Sequence, residues 1–254
     1  EELGDWEPDA FFICSSTHHH GKDIQQIEAR FGGKQVFVEK PLYHTVVPKT
    51  VMNNKYYVGY NLRYHAVIQE LCRRLQGRTP LVANMYVGSY LPDWRKGDNP
   101  LLNYSAHVSQ GGGVLLDLSH ELDLVQFLFG KITHVKAVIC RCGDVTFDSE
   151  DVAFLHLQTE KGTLINLQLD YLNRNHVRSG HVLIQDESVQ YDLQRSHLFS
   201  SRDGEIAVQG GGVSATYLRQ QEDFLSSQEN LCSYDEGLRI NSVIHAAHAS
   251  HKTN

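Results

Sequence analysis

Pro8 to Ser16 reads PDAFFICSS, a short apolar run that begins after a proline and ends in small hydroxyl residues. A run of that length and texture is the pattern of a buried parallel strand opening into a loop. Thr17 is then placed to cap a helix over about His18 to Ala29. The next burst, QVFVEKP, is strand-like from Gln35 to Val38 and stops at Pro41, and Lys55 to Tyr60 has the β-branched and aromatic content of a third strand. Strands alternating with helices predict an α/β sheet. HAVIQELCRRL, from His65, sets Ile68, Leu71, Cys72 and Leu75 at helical spacing before Gly77. A boundary near Gly77 to Pro80 follows, dividing the chain into units 1–78 and 79–254.

Beyond the boundary the texture changes. Leu81 to Leu91 alternates like a strand with one exposed face, and Val114 to Phe129 reads as one long apolar-periodic helix stopped by Gly130. From Ile132 to about Val208, strand candidates recur between turn signals: KAVICRC, VAFLHLQT, GTLINLQLDY and HVLIQDESVQYDL. Such a series predicts a large, mostly antiparallel sheet. Helix returns with TYLRQQEDFLSSQ and again over about Asp235 to Ala249. There is no internal repeat and no low-complexity linker.

Composition excludes several function classes. In 254 residues, 41% of them hydrophobic, no apolar run approaches the roughly 20 residues a membrane helix needs, and EELGDWEPDA has the features of no signal peptide. Neither membrane insertion nor secretion is expected. The net charge of −7 is spread without a basic or acidic block, which disfavours nucleic acid and leaves small-molecule chemistry as the expectation. Five cysteines, an odd number over an ordinary length, do not form a disulfide framework and fit a reducing cytoplasm. Cys140 and Cys142 flank Arg141 at strand spacing, which reads as a half-buried strand. His18 to His20 are consecutive but have no Cys or carboxylate partner at zinc-motif spacing, so no metal site is expected.

Two stretches carry candidate chemistry. Glu39, Lys40 and Pro41 fall at the carboxyl end of a predicted strand, where open α/β sheets bind ligands. A lysine there can bond a substrate hydroxyl or perturb a neighbouring acid; alternatively Glu39 and Lys40 form a solvated pair before a turn. The second stretch is Gly111 to Gly113 followed by VLLDLSHELDL. Asp117 and His120, three apart on a predicted helix, share a face, where a carboxylate can orient an imidazole suited to acid/base work. The other reading gives His120 a backbone carbonyl and Asp117 the first helical turn.

Read together, PDAFFICSSTHHH, VFVEKP, VGYNLRYH and GGGVLLDLSHELDLVQFLFG resemble successive landmarks of the Gfo/Idh/MocA family, in matching order over most of the chain. The resemblance implies the remainder of a Rossmann doubly wound parallel sheet followed by a domain with a large, mostly antiparallel open sheet. It implies hydride transfer between NAD or NADP and a hydroxyl-bearing carbon of a sugar, cyclitol or nucleotide sugar. Lys40 matches the lysine of the family's Glu-Lys-Pro, close to cofactor and substrate, and His120 matches the histidine that takes the hydroxyl proton. The family's aspartate often lies four residues before that histidine, whereas here position 116 is Leu116 and the acid is Asp117; both spacings keep two residues on one side of a helix. Ser15, Ser16, Thr17 and His20 match the loop and helix start that approach the dinucleotide, with helix capping the alternative for Thr17. Asn61 and Arg63 match a landmark on the substrate side, and Trp94 and Arg95 are candidates for stacking and charge near the cofactor. Each of these four also reads as a surface or packing residue.

The sequence contains no G-x-G-x-x-G after a strand, the segment that opens a dinucleotide-binding fold. The chain therefore reads as an N-terminally incomplete member of the family, or as a degenerate one. The stretch from Glu39 to Gly59 is short for a full helix. A non-catalytic sensor that binds a dinucleotide or sugar is the alternative to a dehydrogenase, since fold does not fix function. The resemblance also implies a homodimer or homotetramer, in which a partner buries the uncovered face of the open sheet.

Overall fold

Strand β1 (Ala10–Ile13) pairs in parallel with β2 (Gln35–Val38), and β2 pairs in parallel with β3 (Lys55–Val58). The computed structural model describes residues 7–94, 104–143 and 148–253. Between β1 and β2 runs helix α1 (His20–Arg30), entered through a 3-10 turn at Thr17–His19. Thr17 lies inside that turn and is buried, and neither helix start has a side-chain cap, so the expected capping role of Thr17 is replaced by packing. Helix α2 (Ala66–Leu75) follows the sequence closely: it buries Val67, Ile68, Leu71 and Leu75, and Gly77 behind it adopts φ +74°, which suits glycine at a helix stop.

The second sheet has eight strands: β4 (Val82–Gly88), β5 (Ile132–Cys140), β6 (Val152–Thr159), β7 (Leu164–Asp170), β8 (Val177–Ile184), β9 (Glu187–Asp192), β10 (His197–Ser200) and β11 (Gly204–Ile206). Their order is β11-β10-β9-β8-β4-β7-β6-β5, antiparallel everywhere except between β4 and β7. One face carries Leu155, Leu157, Ile165, Leu167 and Leu169 into the core, and the other exposes Phe154, His156 and Asn166. This one-sided burial is what the alternating sequence encodes.

The long helix expected from Val114 to Phe129 is instead two: α3 (Val114–Asp117) and α4 (His120–Phe129). Leu118 leaves helical geometry at φ −96° and ψ 25°, and its N–H bonds back to Val114 O, so the axis turns between Asp117 and His120. Helix α4 is buried nearly all round, which a helix filling a core requires.

The tail crosses back over the Gly77 to Pro80 boundary. After α5 (Val213–Phe224), strand β12 (Cys232–Ser233) adds to the first sheet, antiparallel to β3. Helix α6 (Tyr234–Lys252) starts with a capping box in which Ser233 and Glu236 bond each other's backbone N–H groups, and it packs on both β5 and β3. Residues 232–233 thus add a strand to the first sheet from the far side of that boundary.

Candidate active site

Residues of both sheets converge on one cleft of about 510 Å³. On one side stands Lys40, just beyond the carboxyl end of β2, where Glu39 N–H bonds Ile13 O at 2.9 Å and Gly59 N–H bonds Val38 O at 2.8 Å. These bonds fix the loop that holds the lysine; the Lys40–Pro41 peptide is cis. Lys40 Nζ donates to the backbone O of Asp117 at 2.6 Å. Burial pushes the Lys40 ammonium below its usual range and Arg178 adds to this, while Asp117 pulls the other way.

Asp117 ends α3, and its Oδ2 accepts from Tyr171 Oη at 2.5 Å. Burial, and then this carboxylate, raise the Tyr171 phenol well above its ordinary value, so it stays a donor. His120 opens α4 with its ring edge-on to Tyr60 at 5.6 Å, and Tyr60 in turn donates to Ser119 Oγ at 3.3 Å. The His120 Nδ1 atom is buried and has no partner. Burial and the neighbouring charges of Lys40 and Arg178 hold the imidazole well below its ordinary value, hence neutral at pH 7. The break after Asp117 does not separate the pair, because Asp117 and His120 both line the cleft.

The far wall is built by residues that sequence reasoning missed. Arg178, on β8, pairs with the buried Glu121 at 2.7 Å; burial raises the Glu121 carboxyl and Arg178 opposes that. Arg174 lies over the Tyr90 ring, 4.0 Å from its centroid. His176 and Tyr217 complete this side. Arg174, His176 and Arg178 stand at i, i+2 and i+4 in NRNHVR, and that strand period was the available signal.

Of the residues expected near the cofactor, Ser15 and Ser16 are exposed in the loop after β1, with Ser15 Oγ donating to Asp23 at 2.5 Å. His20 is fully buried and braces two loops, its ring nitrogens lying 3.0 Å from Pro41 O and 3.0 Å from Ser15 O. Glu39 has its carboxyl raised by burial and accepts from Lys40 N–H at 3.3 Å. Trp94 lines the cleft, donating to Ser89 Oγ at 2.8 Å with its ring edge-on to Tyr171. Arg95 lies outside the described residues.

Asn61 and Arg63 do not line the cleft, contrary to expectation. Asn61 Nδ2 donates to Thr216 Oγ1 at 2.6 Å inside the core. Arg63, 2% exposed, makes a bidentate pair with Asp123 and a third contact to Glu236 at 3.0 Å. Burial works against its charge, but Asp123 holds the guanidinium well above its usual value. All of its partners are protein groups, which makes it a structural cation. Among the described residues no group of three or more His, Cys, Asp or Glu is placed to hold a metal ion, and no helix is long and apolar enough to cross a membrane.

Residues 83–188 match the family model described as GFO/IDH/MocA C-terminal domain. No curated protein matches the chain. Among solved structures, UDP-N-acetylglucosamine 3-dehydrogenase GnnA from Acidithiobacillus ferrooxidans is 20% identical with a TM-score of 0.75, over 97% of this chain and 80% of that one. Levoglucosan dehydrogenase, in complex with NADH and levoglucosan, is 17% identical with a TM-score of 0.80, over 98% and 79%. An oxidoreductase structure from Thermotoga maritima, described as putative, is 17% identical with a TM-score of 0.77, over 99% and 80%. Residues 83–188 are thus similar to the C-terminal domain of the GFO/IDH/MocA family, and they lie in a fold that nearly the whole chain shares with these solved oxidoreductases.

Proposed function

We propose that the protein is an oxidoreductase that transfers a hydride between a bound NAD or NADP and a hydroxyl-bearing carbon of a sugar, cyclitol or nucleotide sugar. The observation that carries this reading is the unpartnered, buried Nδ1 of a neutral His120 in the same cleft as Lys40 Nζ. An unsatisfied buried ring nitrogen costs on the order of 1–3 kcal/mol, and a substrate hydroxyl, which can donate or accept, is the group that would satisfy it. Two of the solved relatives are dehydrogenases by name, and one is in complex with NADH and a sugar. The cleft also fits the reactive end of a dinucleotide, because Lys40 and the Ser15 and Ser16 loop lie at the carboxyl ends of β2 and β1.

A bound nicotinamide supplies the hydride acceptor. The chain's own residues do the rest. His120 receives the hydroxyl proton as the carbon is oxidised, and its lowered basicity keeps the acceptor form in place at neutral pH. Lys40, aimed by the Asp117 carbonyl, donates to the same oxygen and stabilises its developing negative charge. Asp117 positions rather than reacts, since Tyr171 occupies one of its carboxylate oxygens. The Tyr90 and Arg174 pair and Trp94 offer flat surfaces and donors for the ring of a polyol.

The test is fluorescence titration with NADH and NADPH, then a screen of sugars and nucleotide sugars for reduction of NAD or NADP. Turnover that disappears in His120→Ala and Lys40→Ala supports the enzyme. Dinucleotide or sugar binding without turnover of any substrate would support a regulatory binding protein instead. The uncovered sheet face, with Phe154 and Leu164 exposed, leads us to expect a dimer or tetramer, measurable by light scattering.

A further inference from the structure

Outside the cleft, the most ordered unexplained chemistry is at the end of β5. In a continuous strand, residues i and i+2 lie ~6.6 Å apart with parallel side chains. Cys140 and Cys142 depart from that: β5 ends at Cys140, and the Sγ of Cys142 comes to 3.1 Å from the Sγ of Cys140. The turn is built rather than incidental. Asp151, 4% exposed, accepts from Cys142 N–H at 2.8 Å with one carboxylate oxygen and from Gly143 N–H at 2.7 Å with the other. A Cβ at Gly143 would come within 2.9 Å of both Asp151 Oδ2 and Leu172 Cδ2, so a larger residue there would displace one of these side chains. Both thiols are free, and Cys142 is exposed.

We propose that Cys140 and Cys142 form a reversible dithiol/disulfide site that responds to peroxides. The exposed Cys142 sulfur attacks a peroxide oxygen: an S–O bond forms, the O–O bond breaks, and Cys142 becomes a sulfenic acid as one water, or one alcohol, leaves. Cys140 then attacks the Cys142 sulfur: the S–S bond forms, the S–O bond breaks, and the hydroxyl departs as water with the Cys140 proton. Two electrons pass from the sulfurs to the peroxide, and a thiol reductant returns them. Cys142 is exposed and Cys140 half-buried, which assigns first attack to Cys142 and resolution to Cys140; burial, and then the contact with Cys142, raise the Cys140 thiol. Disulfides of this transient kind are those compatible with a reducing compartment.

The position has a consequence for the cleft. The backbone O of Asp151 accepts from Tyr171 N–H at 2.8 Å, and Tyr171 holds Asp117. The carboxylate that shapes the thiol turn therefore belongs to the residue that anchors Tyr171.

Arg141 lies between the two cysteines, which makes the test direct. The native protein is treated with stoichiometric hydrogen peroxide, alkylated and digested with trypsin, which cuts after Arg141. We expect the peptides 137–141 and 142–161 to be recovered joined, 2 Da below the sum of their reduced masses, and separated by dithiothreitol. The linkage should form at least about tenfold faster than in urea-unfolded protein, where no turn pre-aligns the thiols. In Cys140→Ser the Cys142 sulfenic acid should be trapped by dimedone, and Cys142→Ser should leave Cys140 reduced. Unlinked peptides after oxidation, equal rates in folded and unfolded chains, or oxidation of Cys140 in Cys142→Ser would each overturn the proposal.

Discussion

Two buried polar clusters stand on α4 a few residues apart and behave in opposite ways. Around Arg63, every charge meets a protein partner: Asp123 grips the guanidinium from two sides, Glu236 takes a third contact, and Phe127 covers its face. Around Lys40, the groups are partly open to the cleft and incompletely matched. The lysine bonds a carbonyl rather than a carboxylate, and His120 Nδ1 bonds nothing. A closed cluster contributes to one arrangement of the chain, while an open one keeps a valence for a ligand. The difference between scaffold and reactive centre lies in what is left over.

Four single substitutions and one double variant would break or sharpen that contrast. His120→Ala should lower turnover by about 10²–10⁴-fold while the melting temperature holds, as steady-state kinetics beside a thermal melt would show. Unfolding with no specific rate loss would instead place His120 with the closed cluster. The pH profile carries the same signature: because the folded imidazole lies well below 6.5, sugar oxidation should stay level from pH 8 to about 6.5 and decline only at lower pH. The unfolded histidine takes up a proton first, so this residue also makes stability fall as pH drops below about 6.5.

Asp123→Ala should cost about 3–5 kcal/mol in urea unfolding, because it strands a buried guanidinium. An Arg63→Met, Asp123→Leu double variant should lose clearly less. Next comes Glu150, whose backbone O and Oε1 accept from the first N–H groups of α3, and whose carboxyl burial pushes up to about 7. A carboxyl raised in the fold contributes stability below the unfolded value near 4.5 and loses it as pH rises through 7. Glu150→Gln should therefore stabilise by roughly 2–3 kcal/mol at pH 8 and by less than about 1 kcal/mol at pH 5, read from paired urea titrations. The smallest effect belongs to Tyr171→Phe, which removes the bond to Asp117 and should cost about 1 kcal/mol of stability, with KM altered more than the fold.

The alternating strands were legible because their pattern is local. Gln35 to Val38 needed only an apolar burst stopped by a proline, and HVLIQDESVQYDL, read as a strand candidate, proves to be the two strands β8 and β9. Lys40, Asp117 and His120 were legible as candidates because motif and predicted element end coincided. The break between α3 and α4 was not, since Leu118 and Ser119 carry no helix-stopping signal; tertiary packing overrides periodicity there. Arg63 misled for a related reason. A cation beside a substrate landmark looks functional until its partner, Asp123, is seen 60 residues along the chain. Arg174, Arg178 and Tyr217 reach the cleft from β8, the turn before it and α5, and only the sheet order brings them there.

That sheet order also governs the order of assembly. Strand β4, made at residues 82–88, lies between β7 and β8, so during synthesis it emerges well before either neighbour exists. The first sheet waits longer still, because its fourth strand is residues 232–233. Pairings so distant along the chain slow folding and leave apolar edges uncovered meanwhile. Early termination before Cys232 and Ser233 reach β3 should therefore yield aggregates rather than a working half.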